Sequence, residues 1–264
     1  EIERDAGGEV IFEDYARVGI LRIERAGKQG SKAKIDSLVD LGNTVKVGDL
    51  VSPAPIPERP PVIYTSPKLA DYVGGEVIVQ DDYSGERMVG VNNNREDAYQ
   101  GGQLVLDATH KDNGHAYGFY PNSLSATDFI LEFEMEWLSK DTDRLNRLAV
   151  SLRSNGDYLE ENSYVVKFYQ DNTYDFFAWV DGHRKWIQEN TTSIGMEVDD
   201  GDENMVRIVA VGPDVELYLN DKFIAGFTDE RFDHGVIGLA VTQGCKVGVD
   251  DLVMRKPVKK KAGE

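Results

Sequence analysis

The sequence predicts an all-β protein built around an antiparallel sandwich, and three observations carry that expectation. From Glu76 to Lys256 the chain repeats segments of about eight residues in which apolar and polar residues alternate, divided by Gly, Asn and Asp turns. In the clearest segment Phe129, Leu131, Phe133, Met135 and Trp137 share one side and Glu132, Glu134 and Glu136 the other, because successive strand side chains point to opposite faces. Helical periodicity is almost absent, and many half-buried strands at regular spacing build a sandwich.

Taken in order, residues 1–51 read as a small β-barrel-like domain. Its strands are expected near Ala16 to Arg25, Ser31 to Val39 and Thr44 to Val51, with Gly27 and Gly30 at the first turn and Gly42-Asn43 at the second. Residues 52–75 follow as a linker, because Pro53, Pro55, Pro57, Pro60 and Pro61 fix φ and remove backbone donors. Residues 76–256 hold the large domain. Its strands are expected at Glu76 to Asp82, Gln103 to Ala108, Ala116 to Tyr120, Asp128 to Trp137, Arg147 to Arg153, Ser163 to Gln170, Thr173 to Asp181 and Lys185 to Gln188. They continue at Asn204 to Val211, Val215 to Leu219, Lys222 to Thr228, Val236 to Thr242 and Lys246 to Arg255. Asn220-Asp221 is a tight hairpin, since both residue types tolerate positive φ. Residues 257–264 form a basic tail.

Two resemblances extend this reading. Val18 to Ile23, Ser31 to Ile35 and Val45-Lys46-Val47-Gly48-Asp49-Leu50-Val51 resemble the C-terminal β-domain of the flagellar assembly protein T group, which implies a bacterial envelope setting. Asp81-Asp82-Tyr83-Ser84-Gly85, Ser125 to Phe129, Val215 to Asp221, Gly235 to Ala240 and Val249-Asp250-Asp251-Leu252-Val253 occur in that order. Together they resemble a concanavalin A-like jelly roll of the laminin-G-like superfamily, similar to the bacterial 3-keto-disaccharide hydrolase domain. That superfamily holds lectins, carbohydrate-binding modules, adhesion modules and glycosidases, so the fold does not choose a function by itself.

Three side-chain groups carry candidate chemistry. Phe177 and Trp179 alternate with Asp175 and Asp181, Tyr169 shares parity with Lys167, and Trp186 with Arg184. Rings beside hydrogen-bonding charges suit a sugar, whose C–H face stacks while its hydroxyls need polar partners. Arg153, Lys167, Tyr169, Trp179 and Trp186 are the expected contacts.

The alternative is catalytic. Glu132, Glu134 and Glu136 resemble the Glu-x-Asp-x-Glu strand of the sixteenth glycoside hydrolase family, with Glu where that motif has Asp. Carboxylates two positions apart on a strand have backbones roughly 7 Å apart, a permissive spacing for retaining hydrolysis. If the next strands are sheet neighbours, Arg147, Arg153 and Lys167 pair with the same glutamates as a solvated ladder.

The third group is metal-directed. Asp82, Asp250 and Asp251 bracket the two ends of the large domain, and Ca²⁺ takes several oxygen ligands at about 2.3–2.6 Å, so a structural Ca²⁺ is the one cofactor expected. The same residues also suit turn caps. His110, His115, His183 and His234 lie in separate turns with no zinc spacing.

A net charge of −18 excludes a general nucleic-acid or anionic-membrane binder. No apolar run approaches the ~20 residues of a membrane span, and the single Cys245 reads as a small buried strand residue. The chain begins at Glu1 rather than Met, consistent with a removed leader or a trimmed start. The expected location, read from the resemblances, is periplasmic, outer-envelope or secreted. The expected function is recognition of a glycan or envelope component without catalysis, with glycoside hydrolysis and a protein-assembly module as alternatives.

Overall fold

The computed structural model describes residues 60–84, 99–109, 126–139, 147–155, 162–193, 195–199, 201–242 and 244–260, with backbone strands also at 2–4, 10–13, 19–27, 30–38, 90–91 and 115–119. The chain divides into two compact units, Glu1–Glu58 and Arg59–Glu264. In the first unit β1 (Ile2–Arg4) pairs with β2 (Val10–Glu13), and β3 (Gly19–Gly27) pairs with β4 (Gly30–Leu38), both antiparallel. β3 and β4 occupy two of the three expected strand positions. The third, at 44–51, lies outside the described residues, and the short β1 and β2 carry no alternating signal strong enough to read.

The second unit contains β5 (Val62–Tyr64), β6 (Tyr72–Asp81), β7 (Gly90–Val91), β8 (Tyr99–Gln100), β9 (Gln103–Asp107), β10 (His115–Phe119), β11 (Phe129–Ser139), β12 (Arg147–Ser154) and β13 (Ser163–Tyr169). It continues with β14 (Thr173–Val180), β15 (His183–Thr192), β16 (Glu203–Val211), β17 (Asp214–Leu219), β18 (Lys222–Thr228), β19 (Val236–Thr242) and β20 (Lys246–Lys259). Among the described residues these form a seven-stranded sheet, β15-β14-β13-β12-β19-β10-β7, and a nine-stranded sheet, β5-β18-β17-β16-β11-β20-β9-β8, with β6 also on β20. No helix occurs among the described residues.

The alternation dictates the sandwich. Phe129, Leu131, Phe133, Met135 and Trp137 on β11 are all at most 1% exposed and join one core with Leu148, Val150 and Leu152 of β12 and Phe168 of β13. Each such side chain contributes about 1.5–3 kcal/mol on burial. Edge-to-face and tilted rings tie the sheets together: Tyr164 and Phe176 of one sheet lie 5.3 and 5.1 Å from Phe227 of the other. Asn220 and Asp221 both have positive φ (48° and 63°), as the tight hairpin requires. Cys245 is fully buried.

The strand expected to open the large domain pairs with the last one, β6 against β20, with Asp81 opposite Leu252. Two boundaries differ from the sequence expectation. The segment expected as linker up to residue 75 is partly sheet, because Val62–Tyr64 completes the open edge of β18 and Tyr72 already pairs with Lys259. The fit is close: a Cβ at Gly226 would sit 2.2 Å from the Tyr64 ring. The expected tail is likewise strand as far as Lys259.

Between β5 and β6 the chain crosses the outer face of the nine-stranded sheet. Leu69 packs there on Ile130 and Val209, flanked by Tyr72, Val211 and Tyr218. The crossing is held by Glu216, which is fully buried and accepts the backbone N–H of Lys68, the N–H of Leu69 at 2.9 Å and the Tyr218 hydroxyl at 2.6 Å. Removing a carboxylate that satisfies buried donors costs about 1–3 kcal/mol. Glu216→Ala is therefore expected to lower stability by about that amount, read as a shift of the urea midpoint at unchanged m-value.

Candidate functional site

The site is built from a two-residue turn outward. Asp181 and Gly182 both take positive φ (50° and 75°), the pattern of a type I′ hairpin. This turn fixes the register of β14 on β15: Val180 faces His183, Trp179 faces Arg184 and Phe177 faces Trp186. Tyr174, Phe176 and Ala178 belong to the inter-sheet core, so Asp175, Phe177 and Trp179 take the outer face of the seven-stranded sheet. One row across that face runs Gly238, Ser151, Val165, Phe177, Trp186, and the next runs Ala240, Ala149, Lys167, Asp175. Side-chain size rises along the first row and ends in aromatic rings at β14 and β15. Ser151 is wholly buried in that row and its Oγ has no hydrogen-bond partner.

Phe177, 0% exposed, is the base of the aromatic group. Its ring meets Trp179 at 5.9 Å and 83° and Trp186 at 5.4 Å and 72°, both edge to face. Trp186 is 39% exposed. Arg184, exposed, places its Cζ 4.6 Å from the centre of Phe177, 4.8 Å from Trp186 and 5.3 Å from Trp179. Lys167 Nζ lies 5.1 Å from Phe177. Each cation–ring contact is worth about 0.5–1 kcal/mol at an exposed site. Arg184 was legible as a neighbour of Trp186 by parity. Its seat among three rings was not, because that depends on the hairpin register.

Of the five expected contacts, Lys167, Trp179 and Trp186 come together in this group. Tyr169 lies one row further along, where its hydroxyl donates to Asp175 at 2.6 Å. Burial, then the bond to Asp175, pushes its pKa up to about 12. Arg153 is turned to another task. It is 1% exposed, with φ +54°, and donates through Nε and Nη2 to the Thr127 carbonyl at 3.1 and 2.7 Å and through Nη1 to the Phe232 carbonyl at 3.1 Å. Burial lowers its pKa. Arg153 thus clamps two connections at one end of the sandwich. Near it, a depression of about 420 Å³ is lined by Ile78, Ala126, Thr127, Asp128, Lys256 and Pro257, with no aromatic ring.

The glutamates lie on the other sheet. β11 pairs with β16 and β20, whereas β12 and β13 belong to the seven-stranded sheet. Arg147, Arg153 and Lys167 therefore do not form the expected ladder with them, because the jelly roll sends consecutive strands to opposite sheets. Instead Glu132 pairs with Arg207 of β16 at 3.4 Å, and Glu136 accepts from Gln103 of β9 at 2.9 Å. Glu134 stands opposite Asp250. Burial, followed by repulsion from Glu203, Asp251 and Asp250, raises its pKa.

The aspartates expected as calcium ligands flank that glutamate and make local bonds. Asp82 accepts from the Ser84 N–H and hydroxyl at 3.1 and 2.7 Å, and Asp250 accepts from the Asp251 N–H at 2.7 Å. Burial, then Asp251, Asp82 and Asp81, raises the pKa of Asp250 against that backbone bond. Among the described residues no group of three His, Cys, Asp or Glu side chains is placed to hold a metal ion.

The comparisons with known proteins agree with this architecture. Endo-beta-1,3-glucanase from Pyrococcus furiosus superposes with a TM-score of 0.56 at 12% identity, over 72% of this chain and 99% of that one. A Bacillus subtilis protein of unknown function with a galectin-like fold gives 0.55 at 11% identity, over 72% and 100%. The large unit has the jelly-roll sandwich fold of these proteins. A further likeness, to the carbohydrate-binding module CBM66 of Bacillus subtilis, has a TM-score of 0.46 at 20% identity over 55% of this chain and 84% of that one. No family model matches the chain, and no curated protein matches it. At these identities the likeness is one of fold.

The acid cluster makes a pH prediction. Glu134 has a raised pKa in the folded state, so the fold binds more protons than the unfolded chain in that window, and stability falls as pH rises through it. Glu134→Gln should therefore stabilise the protein at pH 7, by less than about 1 kcal/mol because solvent screens the cluster. The gain should shrink toward zero below the ordinary carboxylate pKa. Urea unfolding at pH 7 and pH 4 checks both signs.

Proposed function

We propose that this protein is a non-catalytic carbohydrate-recognition module that binds its glycan on the outer face of the seven-stranded sheet. The observation that carries the proposal is the exposed Trp186 beside Trp179, both braced edge-on by the buried Phe177, with Arg184 over all three rings and Lys167 against Phe177. A soluble domain gains nothing in core burial from a tryptophan at an outer sheet edge. A ring held rigidly there supplies contact area at low entropic cost, and adjacent cations supply the hydrogen-bond donors that sugar hydroxyls need.

The superposing structure is that of an endo-beta-1,3-glucanase, and its likeness in fold supports a glycan as the ligand. The catalytic alternative rests on Glu132, Glu134 and Glu136, which lie on the opposite sheet from the rings. Two of them are tied to Arg207 and Gln103, and the raised pKa belongs to the middle one. A hydrolase needs its acid and its sugar platform on one face. Here they are separated by the thickness of the sandwich. Among the described residues no helix is long and apolar enough to cross a membrane. The resemblances support a setting in the periplasm, outer envelope or medium, where such a module meets polysaccharide.

A glycan array probed with the intact chain, Trp186→Ala and Glu136→Gln tests the proposal. Wild type should bind without releasing product. Trp186→Ala should weaken binding at least tenfold, about 1.4 kcal/mol, with the chain still folded, and Glu136→Gln should bind as wild type. Unchanged affinity in Trp186→Ala would reject this face. Product release abolished by Glu136→Gln would make the protein a hydrolase.

A further inference from the structure

The aromatic group does not offer bare ring faces. Arg184 occupies the space over three of them, with its Cζ 4.6 to 5.3 Å from the ring centres of Phe177, Trp186 and Trp179. No carboxylate of the described residues forms an ion pair with this guanidinium. The other ionisable groups on the described outer face are placed differently. Lys167 lies against Phe177. Arg147 donates through Nε to Thr242 at 2.6 Å, and Asp175 is 5% exposed beneath the Tyr169 hydroxyl. The charge seated on the rings is therefore cationic, on a chain whose net charge is −18, and the exposed carboxylates of the same hairpin, Asp181 and Glu189, form no ion pair with Arg184.

Resting on the glycan-binding reading above, we infer that the ligand is an acidic glycan whose uronate carboxylate is bound by Arg184 while Trp186 packs against the sugar ring. A neutral pyranose would have to displace the guanidinium to reach the rings, giving up up to three cation–ring contacts of about 0.5–1 kcal/mol each. A carboxylate adds to those contacts instead of replacing them. Guanidinium stacked on aromatic rings keeps its N–H edge free, and that planar fork matches a carboxylate in bidentate fashion. Lys167, on β13, lies against the far side of the group, 5.1 Å from the Phe177 ring. The ligand is thus matched to the platform by charge and by shape.

The experiment compares short oligosaccharides of galacturonate, glucuronate and mannuronate with the same oligomers fully methyl-esterified, which keeps the skeleton and removes the charge. Titration calorimetry with the full chain gives Kd for each. At least one acid should bind ten or more times tighter than its ester. Arg184→Gln should erase that preference, weakening the acid at least tenfold while the ester, which no longer has to displace the guanidinium, binds no more weakly than it does to wild type. Trp186→Ala should weaken acid and ester together. Neutral or esterified oligomers binding as well as the acids would overturn this inference and leave carbohydrate recognition standing. Preference for sulfated over uronate oligomers of matched length would overturn the carboxylate assignment, and Arg184→Gln weakening acid and ester alike would assign Arg184 a structural role. Absence of binding to acids, esters and the neutral array alike would overturn both readings.

Discussion

The burial of one face of each sheet against the other is the constraint on which the rest of this structure depends. Once Phe129 to Trp137 must alternate inward, the intervening side chains are committed to the outside of the nine-stranded sheet. The same rule commits Phe177, Trp179 and Lys167 to the outside of the seven-stranded sheet. The two outer faces then diverge. One is crossed by the segment around Leu69, locked over Ile130 and Val209 by the buried Glu216, and carries the acids around Glu134. The other carries the rings and cations. The division of labour between them follows from strand parity and from which strands each sheet recruits.

Those two determinants were unequally visible in the sequence. Parity is local: a period of two is read directly, so most strands of the large unit, the Asn220-Asp221 hairpin and the buried Cys245 could be anticipated. Recruitment is non-local. β11 neighbours β16 and β20, strands that lie roughly seventy to over one hundred residues downstream, and no periodicity encodes that. The expectation that Arg147 and Lys167 face the glutamates assumed that consecutive strands are neighbours, which a jelly roll violates whenever the chain changes sheet. Arg153 was missed for another reason. Its positive φ leaves the regular strand geometry on which parity relies, and the side chain turns inward to the Thr127 and Phe232 carbonyls.

The expected linker shows a related blindness. Prolines at 53–61 predict a stiff connection, but nothing in Val62-Ile63-Tyr64 declares that it is an edge strand, since three residues are too few to establish a period. What fixes it is complementarity with β18, where Gly226 leaves space for the Tyr64 ring and Glu216 draws in the following backbone. Such a segment is recruited by vacancies in a sheet formed elsewhere, and the vacancy is a property of the fold rather than of the segment.

The chain's strong acidity sharpens the contrast between its two faces. At physiological ionic strength the Debye length is about 8 Å, so the net charge sets behaviour at a distance while the nearest groups decide behaviour on contact. Placing a cation on the outer face of a −18 chain would normally draw one of its many carboxylates onto it. Among the described residues Arg184 instead rests on aromatic rings, whose faces stabilise the charge without neutralising it. A carboxylate partner from the protein would have cancelled the positive potential, whereas the rings preserve it for something external. Arginine meets both demands of that position better than lysine, because a delocalised, weakly hydrated plane loses less on stacking and still presents its donors at the edge. The arrangement of Phe177, Trp179, Trp186 and Arg184 is thus understood most simply as one unit, in which burial of the first ring orients the other two and the rings together hold a cation exposed.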